Sequence, residues 1–590
     1  MDLRRTWLEP VCRAGTDRPI RTLVPGRLLM GLALLVAGCL LPPELSGLGV
    51  QEHLSDLQVA EPCAEALSDI LREARGLAEV GELESAAALL ARALLRCPDD
   101  PGLLADLAGL RILQGDLVEA EVLATHLVGI VPRWSHAWEL LALSRYLQDN
   151  AHGALHAWNQ VDRPRVRSAN VQLLDHDGAR ERNADPYPGR LAGVIEHRAL
   201  TAGTLVRGER RLGALPAADR ARLGYRMVPG GEATVEGTVV LGATNPFSRP
   251  ALWWAHGFRL LGRRIHLVSA DPLGRLERWE LSGTMEGTLH GAGLTLAHPT
   301  PGGDGVWSWG LHHETGRYGS GRSGDAVRET STRLAWSHTD WVSATMRGAL
   351  RSRIEYRPER GTFVGAGAGA TLLPPTAWGS LGAEGTGWIR IREAGPDADG
   401  PGSVSRFGRA ELRGVLHAIR SPLRTDDPDG EGMPTGSGRG GMGLDLRGSI
   451  HWASEGIPPD LSPRMGAGGN TSLLMRAHSD LDDQGVIQTG FPGTAWAHGG
   501  IEAHRPMGSV GPVGLGVAIF AEGVRVLSPE RSLATATDRR GAVHVGGGVR
   551  ARIPWVDGWL RADWGIDPSD GTSAFSAAWF REHRLNRLWE

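Results

Sequence analysis

The chain reads as a three-part, multidomain protein. It combines α-helical repeats, one small α+β domain and a C-terminal transmembrane antiparallel β-barrel of about 16 strands. Three observations predict this. A 34-residue period runs through residues 67–168, a strand–helix–helix–strand–strand order follows at 169–246, and period-2 alternation of apolar and polar residues fills 247–580. The formal net charge of −4 over 590 residues gives no basic footprint for nucleic acid. Lysine is absent and all basic residues are arginine, so no Walker-A, Schiff-base or kinase lysine is available. Glycine, at 82 residues, is about twice its usual share.

The first 38 residues form an export signal. Six arginines lie between Arg4 and Arg27, followed by the apolar run Leu28–Val36 and then Ala37-Gly38-Cys39. The apolar stretch ends at Leu41 and is too short to span a bilayer as a helix. Val36-Ala37-Gly38-Cys39 resembles a bacterial lipobox, which implies acylation of Cys39; an ordinary cleaved signal is the alternative. A linker occupies 39–66.

In the repeats, Gly81 and Gly115 stand 34 apart, with Asp149 at the third position. Ala86, Ala120 and Ala154 share a place, as do Pro98 and Pro132, and Trp138 opens the third unit. Small residues let paired helices approach closely, and proline ends a helix. The pattern resembles the tetratricopeptide repeat, three units long, which implies a groove for a peptide or partner protein; a spacer is the bland alternative. Cys63 and Cys97 either pair or stay free.

The α+β domain has a short strand at Val171–Leu174, helical patterns at Pro188–Leu200 and Ala202–Leu215, and strands at Arg222–Met227 and Ala233–Leu241. Val228-Pro229-Gly230-Gly231 makes the hairpin turn. With the texture of Arg210–Gly231, this order resembles a POTRA domain. That resemblance implies a periplasmic domain able to accept a client strand along its sheet edge.

Alternation is clearest in four barrel segments. In Ala542–Ile553 the odd positions are apolar or glycine, while His544, Arg550 and Arg552 share the other face. In Trp559–Ile566 Leu560, Ala562, Trp564 and Ile566 oppose Arg561 and Asp563. Trp341–Arg351 and Gly443–Trp452 behave alike, each as one strand. A soluble sandwich could show the same local pattern with its apolar face inward. The export signal and tryptophans near strand ends favour the membrane barrel.

One pair of residues stands out. Along Val513–Gly523 the polar-face residues include Phe520 and Glu522, a lumen carboxylate beside Phe520 and Gly523 that wants a cationic partner. Upstream, Asn470–Gly493 precedes a strand at Thr494–Arg505 and contains Leu474-Met475-Arg476-Ala477-His478. Together these resemble BamA/TamA/FhaC-type barrels, whose in-folded loop carries an arginine that pairs with an acid on a later strand. The resemblance implies a pair between Arg476 and Glu522, with Phe520, Gly523 and His478 around it. It departs from the family in Ala477 for glycine, His478 for an aromatic, Glu522 for aspartate with one residue fewer before the glycine, and ten residues, 581–590, beyond Phe580.

The implied function is insertion or translocation of client proteins. The membrane, client polypeptides and periplasmic or assembly-complex proteins would be its partners, with the repeats and POTRA-like domain as a periplasmic arm on an outer-membrane barrel. Exopolysaccharide export through a porin with a repeat scaffold is the alternative, and a non-transporting structural barrel the third. No catalytic or zinc-binding pattern is present, and no cofactor or nucleic acid is expected. His312-His313-Glu314 lies on a strand that sends the two histidines to opposite faces, and the acidic stretches Asp426–Asp429 and Asp480–Asp483 read as solvated loops.

Overall fold

The computed structural model describes residues 64–176, 178, 181–182, 188–245, 264–319, 326–374, 378–393, 405–419, 442–455, 457–463, 465–466, 473–477, 484–488, 493–511, 513–528, 541–552 and 559–580. The expected export signal, Cys39, both acidic stretches, His478 and the C-terminal tail lie outside them.

Six helices come first: α1 (Ala64–Glu79), α2 (Leu83–Leu94), α3 (Pro101–Gln114), α4 (Leu117–Ile130), α5 (Ser135–Leu147) and α6 (Ala151–Trp158). They pack as successive antiparallel pairs, and the 34-residue period has a backbone cause. Gly81, Gly115 and Asp149 all take left-handed φ angles of 88°, 81° and 60°, each turning the chain out of the first helix of a pair. Ala86, Ala120 and Ala154 are essentially fully buried where paired helices touch. Pro98 and Pro132 lie in the turns that follow α2 and α4. The Pro132 carbonyl accepts a 2.8 Å bond from Trp138 Nε1. Asp100, Asp116 and Asn150 cap α3, α4 and α6 through their side chains. Cys97 is disulfide-bonded, to a partner outside the described residues.

The small domain runs β1 (Arg165–Leu174), β2 (Glu181–Arg182), α7 (Pro188–Leu191), α8 (Ala202–Gly213), β3 (Ala218–Val228) and β4 (Glu232–Leu241). Its sheet order is β2-β1-β4-β3, with β1 parallel to β4. The helix expected over Pro188–Leu200 is a single turn. Gly193 and His197 take positive φ and break it, and Val194 and Leu200 are buried from irregular chain instead. Repeats and small domain share one hydrophobic core. Tyr146, Trp158 and Tyr225 form an aromatic cluster with ring centroids 5.6–6.4 Å apart, and Tyr225 Oη donates to the Ala151 carbonyl at 2.9 Å.

Among the described residues the large sheet holds fifteen strands in sequence order. They are β5 (Arg264–Ala270), β6 (Arg278–Glu286), β7 (Leu289–Pro299), β8 (Val306–Gly319), β9 (Val327–Trp341), β10 (Met346–Arg357), β11 (Gly361–Leu372), β12 (Gly379–Arg392), β13 (Arg406–Ile419) and β14 (Gly443–Ala453). After a long connection follow β18 (Ala495–Val510), β19 (Val513–Ser528), β20 (Gly541–Arg552), β21 (Trp559–Ile566) and β22 (Ser573–Phe580). That connection contains the two-residue strands β15 (Met465–Gly466), β16 (Leu473–Leu474) and β17 (Ile487–Gln488). All fifteen strands pair antiparallel with their chain neighbours. Trp341–Arg351 is not one strand: it holds the last residue of β9, a four-residue turn and the first half of β10. Ser343 Oγ accepts from the N–H groups of Thr345 and Met346 there. Trp341 pairs with Arg347, an even step apart, so alternation runs through the turn unbroken.

The polarity of this sheet is inverted relative to a soluble protein. Leu350, Val543 and Trp564 are 56%, 59% and 53% exposed, whereas Arg347, His544 and Asp563 are 4%, 0% and 0% exposed. A water-soluble sandwich would bury the first set.

Candidate functional site

The connection between β14 and β18 folds into the sheet's inner face. Gly485 presses its backbone on Gly287 in the β6–β7 turn, and its carbonyl accepts from Thr288 N at 2.9 Å. Ile487 pairs with Tyr318 on β8. Nine residues before Gly485, Arg476 reaches β21. Nine residues extend at most about 32 Å. On a flat sheet the eleven strand steps from β21 to β7 would span about 53 Å. Side-chain reach does not close that gap, so the sheet is curled round the loop and its inner face is a lumen.

Met475 anchors the tip by burial among Ala453, Trp496, Val524, Val526 and Ala542. The next residue carries the charge. Arg476 Nε donates to Glu522 Oε2 at 2.9 Å, and its backbone N–H donates to the other carboxylate oxygen of Glu522. Arg476 Nη1 donates to Glu502 Oε2 at 2.8 Å and to Asp563 Oδ2 at 3.2 Å. The guanidinium carbon sits 3.4 Å from the centre of the Phe520 ring. Ala477 N donates to His544 Nδ1 at 3.2 Å. Gly565 makes this approach possible, because a Cβ there would stand 2.8 Å from Ala477 N and from the Arg476 carbonyl carbon.

Cross-strand register assembles the partners. Glu502 on β18 faces Phe520 on β19, which faces Gly546 on β20; in the next row Gly500, Glu522 and His544 align. Arg550 bridges Glu502 at 2.7 Å and Asp563 at 2.5 Å, and Arg561 lies 2.9 Å from Asp563. Three guanidiniums thus meet three carboxylates, all nearly inaccessible to water. Each buried charge has an opposite neighbour, which is the condition for tolerating it. Gly523, one residue beyond Glu522, faces outward by strand alternation and takes no part; there the sequence reading is corrected.

A second anchor went unread in the sequence. Asp460, in the same connection, accepts from Arg357 Nη1 and Nη2 and from Arg333 Nη2, each at 2.8 Å. Glu329 and Glu355 complete the cluster around Arg357. Leu461 beside it packs against Phe363, Trp388 and Phe407. The loop is therefore held by a cation that meets three wall carboxylates and by an anion that meets two wall guanidiniums. The partners of Arg476 all lie on strands whose polar faces are readable. What reading one strand at a time lacks is the register that aligns them.

The small domain is tied to one end of the barrel by α8. Arg207 Nε donates to the Trp341 carbonyl at 2.7 Å, and Arg210 donates to the carbonyls of Ala344 and Leu373. Arg211 pairs with Asp340, and Arg210 lies over the Trp341 ring at 4.8 Å.

Residues 77–143 match the tetratricopeptide repeat family. The matched residues run from the end of α1 into α5. No curated protein matches the chain. Among solved structures, BamA from Haemophilus ducreyi lacking POTRA domains 1–3 is similar at 11% identity and TM-score 0.40, over 71% of this chain and 85% of that one. The globular C-terminal domain of P. aeruginosa LpoP is 33% identical over 16% of this chain and 92% of that one, with TM-score 0.16. The Sgt2 tetratricopeptide domain from Aspergillus fumigatus is 24% identical over 16% of this chain and 64% of that one, with TM-score 0.16.

Proposed function

We propose that this protein is an outer-membrane barrel that inserts client polypeptides into the membrane or passes them across it. The repeats and the POTRA-like domain would form its periplasmic arm. The observation that carries this reading is the inside-out sheet curled round a loop fixed in its lumen by Arg476. An apolar exterior of this extent suits lipid, since unpaired sheet edges and polar side chains are costly there. A loop held by paired charges, rather than by a continuous apolar core, is positioned and yet releasable.

One feature supports client handling. Among the described residues of the small domain, β2 pairs with Leu173 and Leu174 and residues 197–200 bond the chain at 164–166, so the middle of β1 is the edge left for strand addition. The disulfide at Cys97 suits an oxidising compartment. Acylation of Cys39 would tether the mature N-terminus to the membrane.

The test is a photocrosslinking amino acid at Asn170, an exposed position on β1. Capture of an unfolded barrel polypeptide or of a secreted protein in transit is the expected result. Absence of any captured polypeptide refutes the proposal.

A further inference from the structure

Along β8 and β9, the outward side chains change character in step with membrane depth. Trp309 and Trp336, then Leu311 and Leu334, face outward as cross-strand neighbours. His313 with Thr332, and Thr315 with Thr330, come next and hydrogen-bond each other at 2.9 and 3.0 Å. The last outward pair is Arg317 opposite Arg328. Both are exposed, and neither guanidinium has a hydrogen-bond or ionic partner among the described residues.

Like charges placed directly across a strand pair repel, and a lipid-facing position adds to the cost. A bridging anion removes both penalties. Geometry locates it. Arg328 lies twelve residues from Asp340, the outward residue held by α8 at the other end of β9. That is about 40 Å along the strand. With the usual tilt of a membrane strand, the height is about 30 Å, one hydrocarbon thickness. The arginine pair therefore sits at headgroup level, in the leaflet away from the small domain. Arg406 on β13 and Arg525 on β19 face outward at the same end, also exposed, and the outward positions of β8, β9, β13 and β19 hold no acid there.

We infer that Arg317 and Arg328 form a binding site for the phosphate of an anionic lipid headgroup in that leaflet. The inference rests on the membrane-spanning reading of the sheet. Guanidiniums suit phosphate through paired, charge-assisted hydrogen bonds, and each basic side chain near an anionic surface adds attraction.

The full chain and R317Q/R328Q are reconstituted in phosphatidylcholine nanodiscs, with or without lipid A, a bis-phosphorylated glycolipid. Lipid retained on the extracted protein is measured by mass spectrometry. Wild type should enrich lipid A over phosphatidylcholine, and the double variant should lose roughly ten-fold of that preference. R317K/R328K should keep part of it, because charge survives while the forked geometry is lost. Equal enrichment in wild type and R317Q/R328Q overturns the site. Displacement of lipid A by inorganic phosphate also overturns it, since the ligand would then be a soluble anion. Failure of both proteins to enter nanodiscs would sink the membrane reading itself, and this result is distinct from the other two.

Discussion

Replacing Arg476 by alanine should release the lumen loop, and the structure sets the size of the effect. Of its three carboxylate partners, Glu502 keeps Arg550 and Asp563 keeps Arg550 and Arg561. Among the described residues, Glu522 is left with His544, at 4.0 Å, as its remaining ion-pair neighbour. The loss is therefore chiefly one stranded carboxylate with a side chain only 2% exposed. Breaking a buried pair costs about 3–5 kcal/mol. Undocking the loop rewets Glu522, so that cost appears as a population of undocked loop increased roughly 10²–10⁴-fold. Glu522→Ala should cost less, because Arg476 keeps Glu502 and Asp563. The double variant should cost no more than Arg476→Ala alone, because no buried charge then remains unpaired. Ala477→Cys is the reporter: Ala477 is 1% exposed when docked, and maleimide labelling follows undocking. Additive effects of the two single substitutions on labelling rate would refute the pairing argument.

Three more outcomes follow from the same structure. Gly565→Ala places a methyl against the Arg476–Ala477 backbone and should raise Ala477→Cys labelling without removing any charge. Ala120→Leu in α4 forces a large side chain into a site 1% exposed and should destabilise the repeats by about 1–3 kcal/mol, read as a lower midpoint of the helical circular-dichroism signal. Burial pushes the carboxyl of Glu209 on α8 above the usual carboxylate range, so its ionised form is the one the fold disfavours. Glu209→Gln should therefore stabilise the arm at neutral pH. The gain should shrink as pH falls and vanish below the ordinary carboxylate pKa of about 4, where the native side chain is protonated in both folded and unfolded states.

Much of the architecture is legible one strand at a time, because a membrane barrel writes its two faces into alternate residues. Ala542–Ile553 and Trp559–Ile566 display on one face the very His544, Arg550, Arg561 and Asp563 that surround the loop. Their convergence depends on register between strands, which no single segment records. The β9–β10 turn is invisible for the same reason: its length preserves parity, so the pattern continues across it. Asp460 is invisible for a different one. It is a lone acid in a loop, and its partners Arg333 and Arg357 are 127 and 103 residues away. The lost helix after Pro188 shows tertiary packing overriding a local pattern, as Val194 and Leu200 are buried from irregular chain.

The interlocked rings of Tyr146, Trp158 and Tyr225 have a mechanical consequence. The helices and the small sheet cannot articulate at that joint without unstacking three aromatics. A partner gripping the outermost helices would turn the assembly as a stiff lever. Torque would then arrive at Arg211 and Asp340 on the barrel's rim, rather than dissipating in a swivel along the way.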